Sequence, residues 1–531
     1  MARFLGPIRL IPVHRLEPVS GDRGPRNPLR LSGRTFASGP SSPPSTSRES
    51  SPSDTPSHSD AATSSASSAS SASSASSTST SSDPTSKAPA DWEENPDLSI
   101  SAFSQLPHSG FGVNQHMIIN KEFKEALRQI LWQFRAPIRY AFAYGSGVFP
   151  QSAGSTLSGS SPATPAAPHG RGKMIDMMFG VSYTQHWHSL NLQQHRDHYS
   201  LIGSLGSGFV SRVQDRWGAG VYFNPYVMVN GTLIKYGVVN LDTLCQDLSG
   251  WESLYLAGRL QKPVKILRDD PRVRLANQIN LISALRTALL LLPAHFDEHQ
   301  LYSTIASISY LGDPRMSLPT ENPHKVANIV DNQMTNFRQL YAPLIENLPN
   351  VDFDDPQCSK PQWGNDPNAV AALAQDMDPV KRGNMVRRLP KHFREKLYFR
   401  YQSKFQIPQL EFNKMMDESV DEDGTRINRR QGGRFEQRIA TDNEHLKQEM
   451  VGVIKKTINW PSTTQSLKGV LTAGVGRTWR YLGDKVEKGR QGRVQDRQAE
   501  QAREAQTNAD PEKAKGADGS KDEAKSPSPS P

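Results

Sequence analysis

Two short apolar runs carry the residues whose types and order could do chemistry. The first, Tyr140 to Tyr144, ends in Gly145-Ser146-Gly147. The second, Met174-Ile175-Asp176-Met177-Met178-Phe179, holds one acid in its middle. A bare carboxylate in an apolar strand is costly unless something pairs with it. A divalent metal with a nucleotide phosphate is one such partner, and the Gly-Ser-Gly turn exposes backbone N–H groups able to hold that phosphate. The other reading of the same residues is an Asp at a strand end, satisfied by backbone donors. A motif this short does not separate the two.

The elements that must position these residues are legible on either side. Asn120 to Phe134 reads as an amphipathic helix with Asn120 as N-cap and Phe123, Leu127, Ile130, Leu131 and Phe134 on one face. Pro137 ends it, and a strand from Ile138 leads into the turn. Strand, Gly-Ser turn and an Asp on the next strand form the skeleton of the nucleotidyltransferase fold. An α/β domain of that kind is expected over 98–268, with a Ser/Pro/Ala/Gly-rich surface insert at 152–172. After the Asp strand the chain is rich in histidine: His186, His188, His195 and His198. Their spacing fits no standard zinc site. Substrate contacts or structural hydrogen bonds suit them better. Gly218 to Pro225 and Leu233 to Val239 read as strands around a turn at Asn230-Gly231. A helix with Leu241, Leu244, Leu248 and Trp251 follows and carries Asp242 and Asp247.

From Asn277 the pattern is helical. Leu281, Ile282, Leu285, Leu289 and Leu292 give a helix ended by Pro293, and Asn322-Pro323 reads as the start of another bearing Val326, Ile329, Val330, Met334, Phe337 and Tyr341. A mainly helical domain is expected over 269–412 and a linker over 413–461.

Composition bounds the rest of the 531 residues. Residues 38–97, dominated by Ser, Ala, Thr and Pro, and the tail 489–531 are expected to be disordered, since neither can bury enough apolar surface to offset chain entropy. The net charge of +9 favours anionic partners. Cys245 and Cys358 are the only cysteines, which excludes a disulfide framework and a zinc pattern. No apolar run is long enough to cross a membrane. Seven arginines between Arg3 and Arg34 face only Glu17 and Asp22, the composition of a mitochondrial presequence over 1–37.

The ordered series of motifs closely resembles the mitochondrial phosphatidate cytidylyltransferase family. It comprises Tyr144-Gly145-Ser146-Gly147-Val148-Phe149, Ile175-Asp176-Met177, His186-Trp187-His188-Ser189-Leu190-Asn191 and His198-Tyr199-Ser200. It continues with Gly218 to Pro225, Lys235-Tyr236-Gly237-Val238, Ala257 to Val264, Ser309 to Arg315 and Glu321-Asn322-Pro323. The likeness implies an enzyme that makes CDP-diacylglycerol and pyrophosphate from CTP and phosphatidic acid, for cardiolipin synthesis. It implies Mg²⁺, and a peripheral seat on the matrix side of the mitochondrial inner membrane. A winged-helix-like second domain would follow the catalytic one. Two other functions are weighed: a nucleotidyltransferase acting on nucleic acid, and a non-catalytic maintenance factor. No RNA-binding module is visible, so no nucleic-acid partner is expected.

On this resemblance Tyr144, Gly145, Ser146 and Gly147 would cradle the triphosphate and Asp176 would hold Mg²⁺. The general nucleotidyltransferase pattern has a second acid two residues on. Here that position is Met178, so a further metal ligand is expected from Asp247, with Asp242 behind it. Lys235, Arg259 and Lys262 would neutralise phosphates. Residues 462–488, with Leu467, Val470, Leu471, Val475, Trp479, Leu482 and Val486 among Lys468, Arg477, Arg480, Lys485 and Lys488, are expected to be an amphipathic segment that forms on an anionic lipid surface.

Overall fold

Asn120 starts the first long helix as its side chain requires. Its Oδ1 accepts from Glu122 N at 2.7 Å and Phe123 N at 3.4 Å, and α1 (Lys121–Trp132) follows with Leu127 and Ile130 buried. The computed structural model describes residues 91–149, 174–317, 322–419 and 433–474, apart from a few single positions, with isolated residues beyond 474. The expected presequence 1–37, the insert 152–172, most of the Ser-rich arm and nearly all of the tail 489–531 lie outside the described residues.

The apolar runs become β1 (Tyr140–Tyr144) and β2 (Ile175–Val181). Two helices follow, α2 (Thr184–Gln194) and α3 (Ser207–Arg216). Then come β3 (Val221–Val229) and β4 (Thr232–Asn240). Asn230 and Gly231 join these strands at φ 47° and 74°, the conformation a tight hairpin turn demands. With β5 (Lys265–Arg268) they form one mixed sheet in the order β3-β4-β2-β1-β5. Only β2 and β4 pair in parallel; β1 runs antiparallel to β2 and β5, and β3 to β4. Alternation sends Met177, Phe179 and Tyr236 to one face, where Phe134 and Trp187 pack on them. The other face carries Phe142, Tyr144, Asp176, Met178 and Lys235.

The second face is covered from the far end by α4 (Leu241–Gly250), capped by Asn240, and α5 (Pro271–Leu291) packs on α4. Helix α5 is buried along almost its whole length, so it is central rather than peripheral. Beyond it come β6 (His295–Asp297), α6 (Glu298–Ile308), α7 (Lys325–Asp331) and α8 (Met334–Ile345). Strands β7 (Val351–Phe353) and β8 (Ala372–Gln375) then complete a small sheet ordered β6-β8-β7. Within this region Arg338 forks both oxygens of the buried Glu298 at 2.8 and 3.0 Å. A continuous hydrophobic core runs from Met117 to Ile458. The boundary expected at 268/269 is therefore no gap in packing.

Two other expectations change. The apolar stripe after Asn322 is split, with α7 and α8 separated at Asn332-Gln333. Asn322 does not cap it directly: its Oδ1 accepts from His324 N at 2.8 Å, a local turn, and the helix begins at Lys325. After α9 (Lys391–Phe405), the region read as linker and membrane segment contains the long helix α10 (Leu446–Ala473). Its last turns dock beside β3. Gln465 donates to Val221 O at 3.0 Å and accepts from Ala219 N at 3.2 Å. Lys468 is buried and donates to Gln214 O and Trp217 O at the end of α3. Lys468 therefore closes a helix end instead of facing lipid.

Burial pushes the Lys468 ammonium down to about 7, against the opposing pull of Asp215. Its unfolded value is near 10.5. Between these values the unfolded chain binds more protons, so stability should rise with pH through that window, by at most about 1.4 kcal/mol per pH unit. In urea unfolding at about pH 7 and about pH 9, Lys468→Met should show a smaller rise than wild type. Equal rises would refute this account of Lys468.

Candidate active site

The register of the sheet sets three side chains in a row. Tyr144 pairs with Asp176 across β1 and β2, and Asp176 pairs with Lys235 across β2 and β4. Lys235 Nζ lies 3.0 Å from Asp176 Oδ1, with the two side chains 19% and 25% exposed. The partner that the strand acid requires is thus supplied within the protein. Lys235 also stands 4.9 Å over the Phe223 ring, which limits its reach.

The turn after β1 is built against this acid. Gly145 has φ +81°, and a Cβ there would sit 3.4 Å from Asp176 Oδ2. Val148 N and Phe149 N both donate to Gly145 O at 3.0 Å, which curls the chain tightly through Ser146 and Gly147. A Cβ on Gly147 would strike Met174 O at 2.6 Å, so the turn lies directly on the entry to β2. The turn and the Oδ2 side of the Asp176 carboxylate therefore face each other.

A second group of side chains arrives from the segment after α4. Arg259, on the short helix Ala257–Leu260, places its guanidinium 4.0 Å from the Tyr255 ring centre and 5.8 Å from that of Tyr144. It also donates to Tyr255 O. Lys262 donates to Gly258 O and, at 2.7 Å, to Ser309 Oγ, and lies 5.0 Å over the Tyr310 ring. Lys325 approaches the same ring at 5.1 Å. Burial, then repulsion from Arg259 and Lys325, push the Lys262 ammonium down to about 7. Arg315 forks Asp313 close by in the chain. Sequence alone assigns Ser309, Tyr310, Arg315 and Lys325 no role; the signal it offers is the motif Ser309 to Arg315.

Asp247 is not brought to the metal position. Its Oδ1 accepts from Ser253 N and Oγ at 2.8 Å and Leu254 N at 3.0 Å; its Oδ2 accepts from Leu256 N at 2.8 Å and Ala257 N at 3.0 Å. Both oxygens are engaged, so Asp247 orders the loop that delivers Arg259 and is corrected from metal ligand to loop anchor. The loop needs such an anchor, since Trp251 and Leu254 hold φ of 55° and 57° with full side chains. Asp242 is exposed and pairs with Arg272 at 2.6 Å. Met178 is fully buried, which leaves its position apolar. Asp176 is the carboxylate at the turn. With phosphate oxygens and water it suits Mg²⁺, which commonly takes one or two carboxylates.

The histidines fall on the opposite side of the sheet. His188 is buried between Tyr199 OH and Gln214 Oε1, both at 2.8 Å, and burial lowers its pKa to about 4. Asn191 donates to Tyr199 OH and Tyr236 OH, and His198 meets Tyr236 OH at 2.9 Å. This is a structural network. Among the described residues, His195, Asp197 and His198 alone group closely enough to share a metal. The rings of His195 and His198 stack at 4.4 Å and 3°, so their in-plane lone pairs run side by side and do not converge.

A family profile described as mitochondrial phosphatidate cytidylyltransferase matches residues 127–488. Curated relatives carry the same description. The protein of Schizosaccharomyces pombe is 36% identical over 377 residues, 71% of this chain and 86% of that protein. That of Xenopus laevis is 36% identical over 363 residues, 68% of this chain and 93% of its own. That of Saccharomyces cerevisiae is 44% identical over 250 residues, 46% of this chain and 61% of its own.

The loop-anchor role of Asp247 has a stability signature. Asp247→Ala leaves Leu254, Leu256 and Ala257 N–H groups buried without acceptors and should cost about 2–4 kcal/mol in urea unfolding. A loss below about 0.5 kcal/mol, the scale of a neutral surface change, would reject that role.

Proposed function

The chain belongs to the mitochondrial phosphatidate cytidylyltransferase family, and from that membership and the site geometry we propose how its residues perform the activity. The enzyme transfers CMP from CTP to phosphatidic acid, giving CDP-diacylglycerol and pyrophosphate. An oxygen of the phosphatidate phosphate attacks the α-phosphorus of CTP, and the bond from that phosphorus to the bridging oxygen of pyrophosphate breaks. The nucleophile is already an anion at neutral pH. Alignment and charge neutralisation therefore carry the catalysis, without a strong base.

In our reading the Gly145-Ser146-Gly147 turn, with Tyr144 at its base, cradles the triphosphate through backbone N–H groups and the Ser146 hydroxyl. Asp176 would hold Mg²⁺, and the ion would supply charge neutralisation on the phosphates. Lys235 fixes Asp176 from the other side. Arg259 and Lys262 balance charge on the two phosphate-bearing substrates. Lys262, already strained by its cationic neighbours, gains its proton most readily when an anion enters. The observation that carries this reading is the row Tyr144–Asp176–Lys235 with the glycine turn against Asp176 Oδ2.

The same reading assigns the mixed sheet to a nucleotidyltransferase-like fold and the helices beyond α5 to a winged-helix-like part. It assigns residues 1–37 to a transit peptide. It places the enzyme on the matrix side of the inner membrane as a peripheral protein. No described helix is long and apolar enough to cross a membrane, which is compatible with that seat.

The test is pyrophosphate release by purified protein given CTP, phosphatidate and Mg²⁺. Asp176→Asn should lower turnover by about 100-fold or more. Because Asp176 is paired with Lys235, its melting temperature should fall slightly and not rise. Near-normal turnover of this variant in Mg²⁺ would reject Asp176 as the metal-holding acid.

A further inference from the structure

Behind Arg259 the cations outnumber the acids. The short helix Ala257–Leu260 lies so close to the end of α6 that a Cβ on Gly258 would overlap Ser309. This approach brings Lys262 Nζ within 2.7 Å of Ser309 Oγ and to 5.0 Å from the centre of the Tyr310 ring. Lys325, the first residue of α7, reaches the same ring at 5.1 Å. Arg315 acts electrostatically on Arg259, and both Arg259 and Lys325 act on Lys262. The acid that the described residues bring to this group is Asp313, which lies in the field of Arg315 and Lys325. Arg315 Nε engages its two oxygens at 2.9 and 3.0 Å. Four cations, Arg259, Lys262, Arg315 and Lys325, thus stand against one acid in a part-buried place. Burial and this repulsion hold the Lys262 ammonium down at about 7. An anion is what relieves such an excess.

We propose that Ser309, Lys262 and Lys325, around the Tyr310 ring, form a subsite for the phosphomonoester of the acceptor, separate from the turn that holds the triphosphate. The inference rests on the reading of CTP and phosphatidate as substrates and gives each phosphate group its own end of the site. Order along the site decides the assignment. Lys235, Asp176 and Tyr144 stand side by side across β4, β2 and β1. Arg259 comes next, 5.8 Å from the Tyr144 ring centre, and Lys262 follows on the same segment. The glycine turn and Asp176 therefore lie at one end and the Tyr310 group at the other, with Arg259 between them. An in-line displacement needs that order, with pyrophosphate leaving on one side of the α-phosphorus and the attacking phosphate on the other. Backbone N–H groups beside a metal-holding acid suit the pyrophosphate part. The guanidinium fork of Arg259 suits the α-phosphate. The two ammoniums suit the attacking phosphate, because a phosphomonoester has several terminal oxygens and keeps one for attack while others are held.

The subsite is also where two stretches of chain meet. Lys262 comes from the segment before α5, while Ser309, Tyr310 and Lys325 come from beyond it. The nucleotide end is built by the sheet and its turn. Acceptor recognition is then the contribution of the helices that follow.

The experiment is steady-state kinetics of the full chain with CTP and a short-chain, water-soluble phosphatidate, each varied against a saturating amount of the other. Lys325→Gln should raise KM for phosphatidate by about tenfold or more and leave KM for CTP within about twofold of wild type. Lys325→Arg should recover most of that loss, because the charge is kept. Ser146→Ala should show the opposite split, raising KM for CTP more than KM for phosphatidate. Calorimetric titration of the same phosphatidate into the protein without CTP should show the Lys325→Gln loss directly. Melting temperatures should stay within a few degrees, since Lys325 only begins its helix. If KM for CTP rises as much as KM for phosphatidate, the lysines serve the triphosphate and the proposal is overturned. Unchanged KM values and unchanged phosphatidate binding would overturn it as well. The calorimetric arm needs no turnover. Wild-type protein that binds CTP, yet neither binds phosphatidate nor releases pyrophosphate in its presence, would overturn the substrate reading instead. The two failures therefore appear in different measurements.

Discussion

The parallel pairing of β2 with β4 is the constraint on which the candidate site depends. It sets Asp176 opposite Lys235, while the antiparallel pairing with β1 sets Tyr144 on the other side. A slip of one residue would turn Asp176 toward Phe134 and Trp187, into an aromatic layer with no partner for it. Apolar alternation forbids that slip, because Met177 and Phe179 would then lose the same layer. Core packing and site geometry are thus one specification. The ion pair of Asp176 also explains why an acid is tolerated in so apolar a strand.

The rest of the site is held from behind. The Asp247 carboxylate, with both oxygens engaged, shapes the loop from Ser253 to Ala257. From Trp251 on the chain takes two non-glycine residues into left-handed backbone, and the strain is met by buried hydrogen bonds to one charged acceptor. Arg259 reaches Tyr144 only because the loop ends where it does. Farther out, Lys262 ties this segment to Ser309 at the end of α6, so the cationic group spans parts of the chain on both sides of α5.

Local features were the ones the sequence displayed. The Asn120 cap, the strands around Gly145-Ser146-Gly147 and Asp176, and the Asn230-Gly231 hairpin depend on neighbours a few residues away. What the sequence hid depends on distant ones. An acid on a helix looks the same whether it meets a metal or a loop, and only the folded path from Trp251 to Ala257 separates the two for Asp247. Lys468 reads as a surface charge beside Leu467 and Leu471 until α3 supplies carbonyls at its tip. The helical stripe from Val326 to Tyr341 conceals its break, since both halves face the same core. The ring of Tyr310, shared by Lys262 and Lys325, was present in the sequence as a motif but not as a place.

The pairing of Gln465 with Val221 and Ala219 joins residues 244 and 246 positions apart. β3 is the outermost strand of the sheet, and α10 is what lies along it. A chain emerging from a ribosome or a translocation pore therefore presents that strand with its covering helix still missing for most of its synthesis or passage. During this interval the edge is open to wrong partners. Completion of the sheet domain waits on a helix that lies more than 240 residues downstream of β3, so the order in which the chain arrives is part of how this fold is reached.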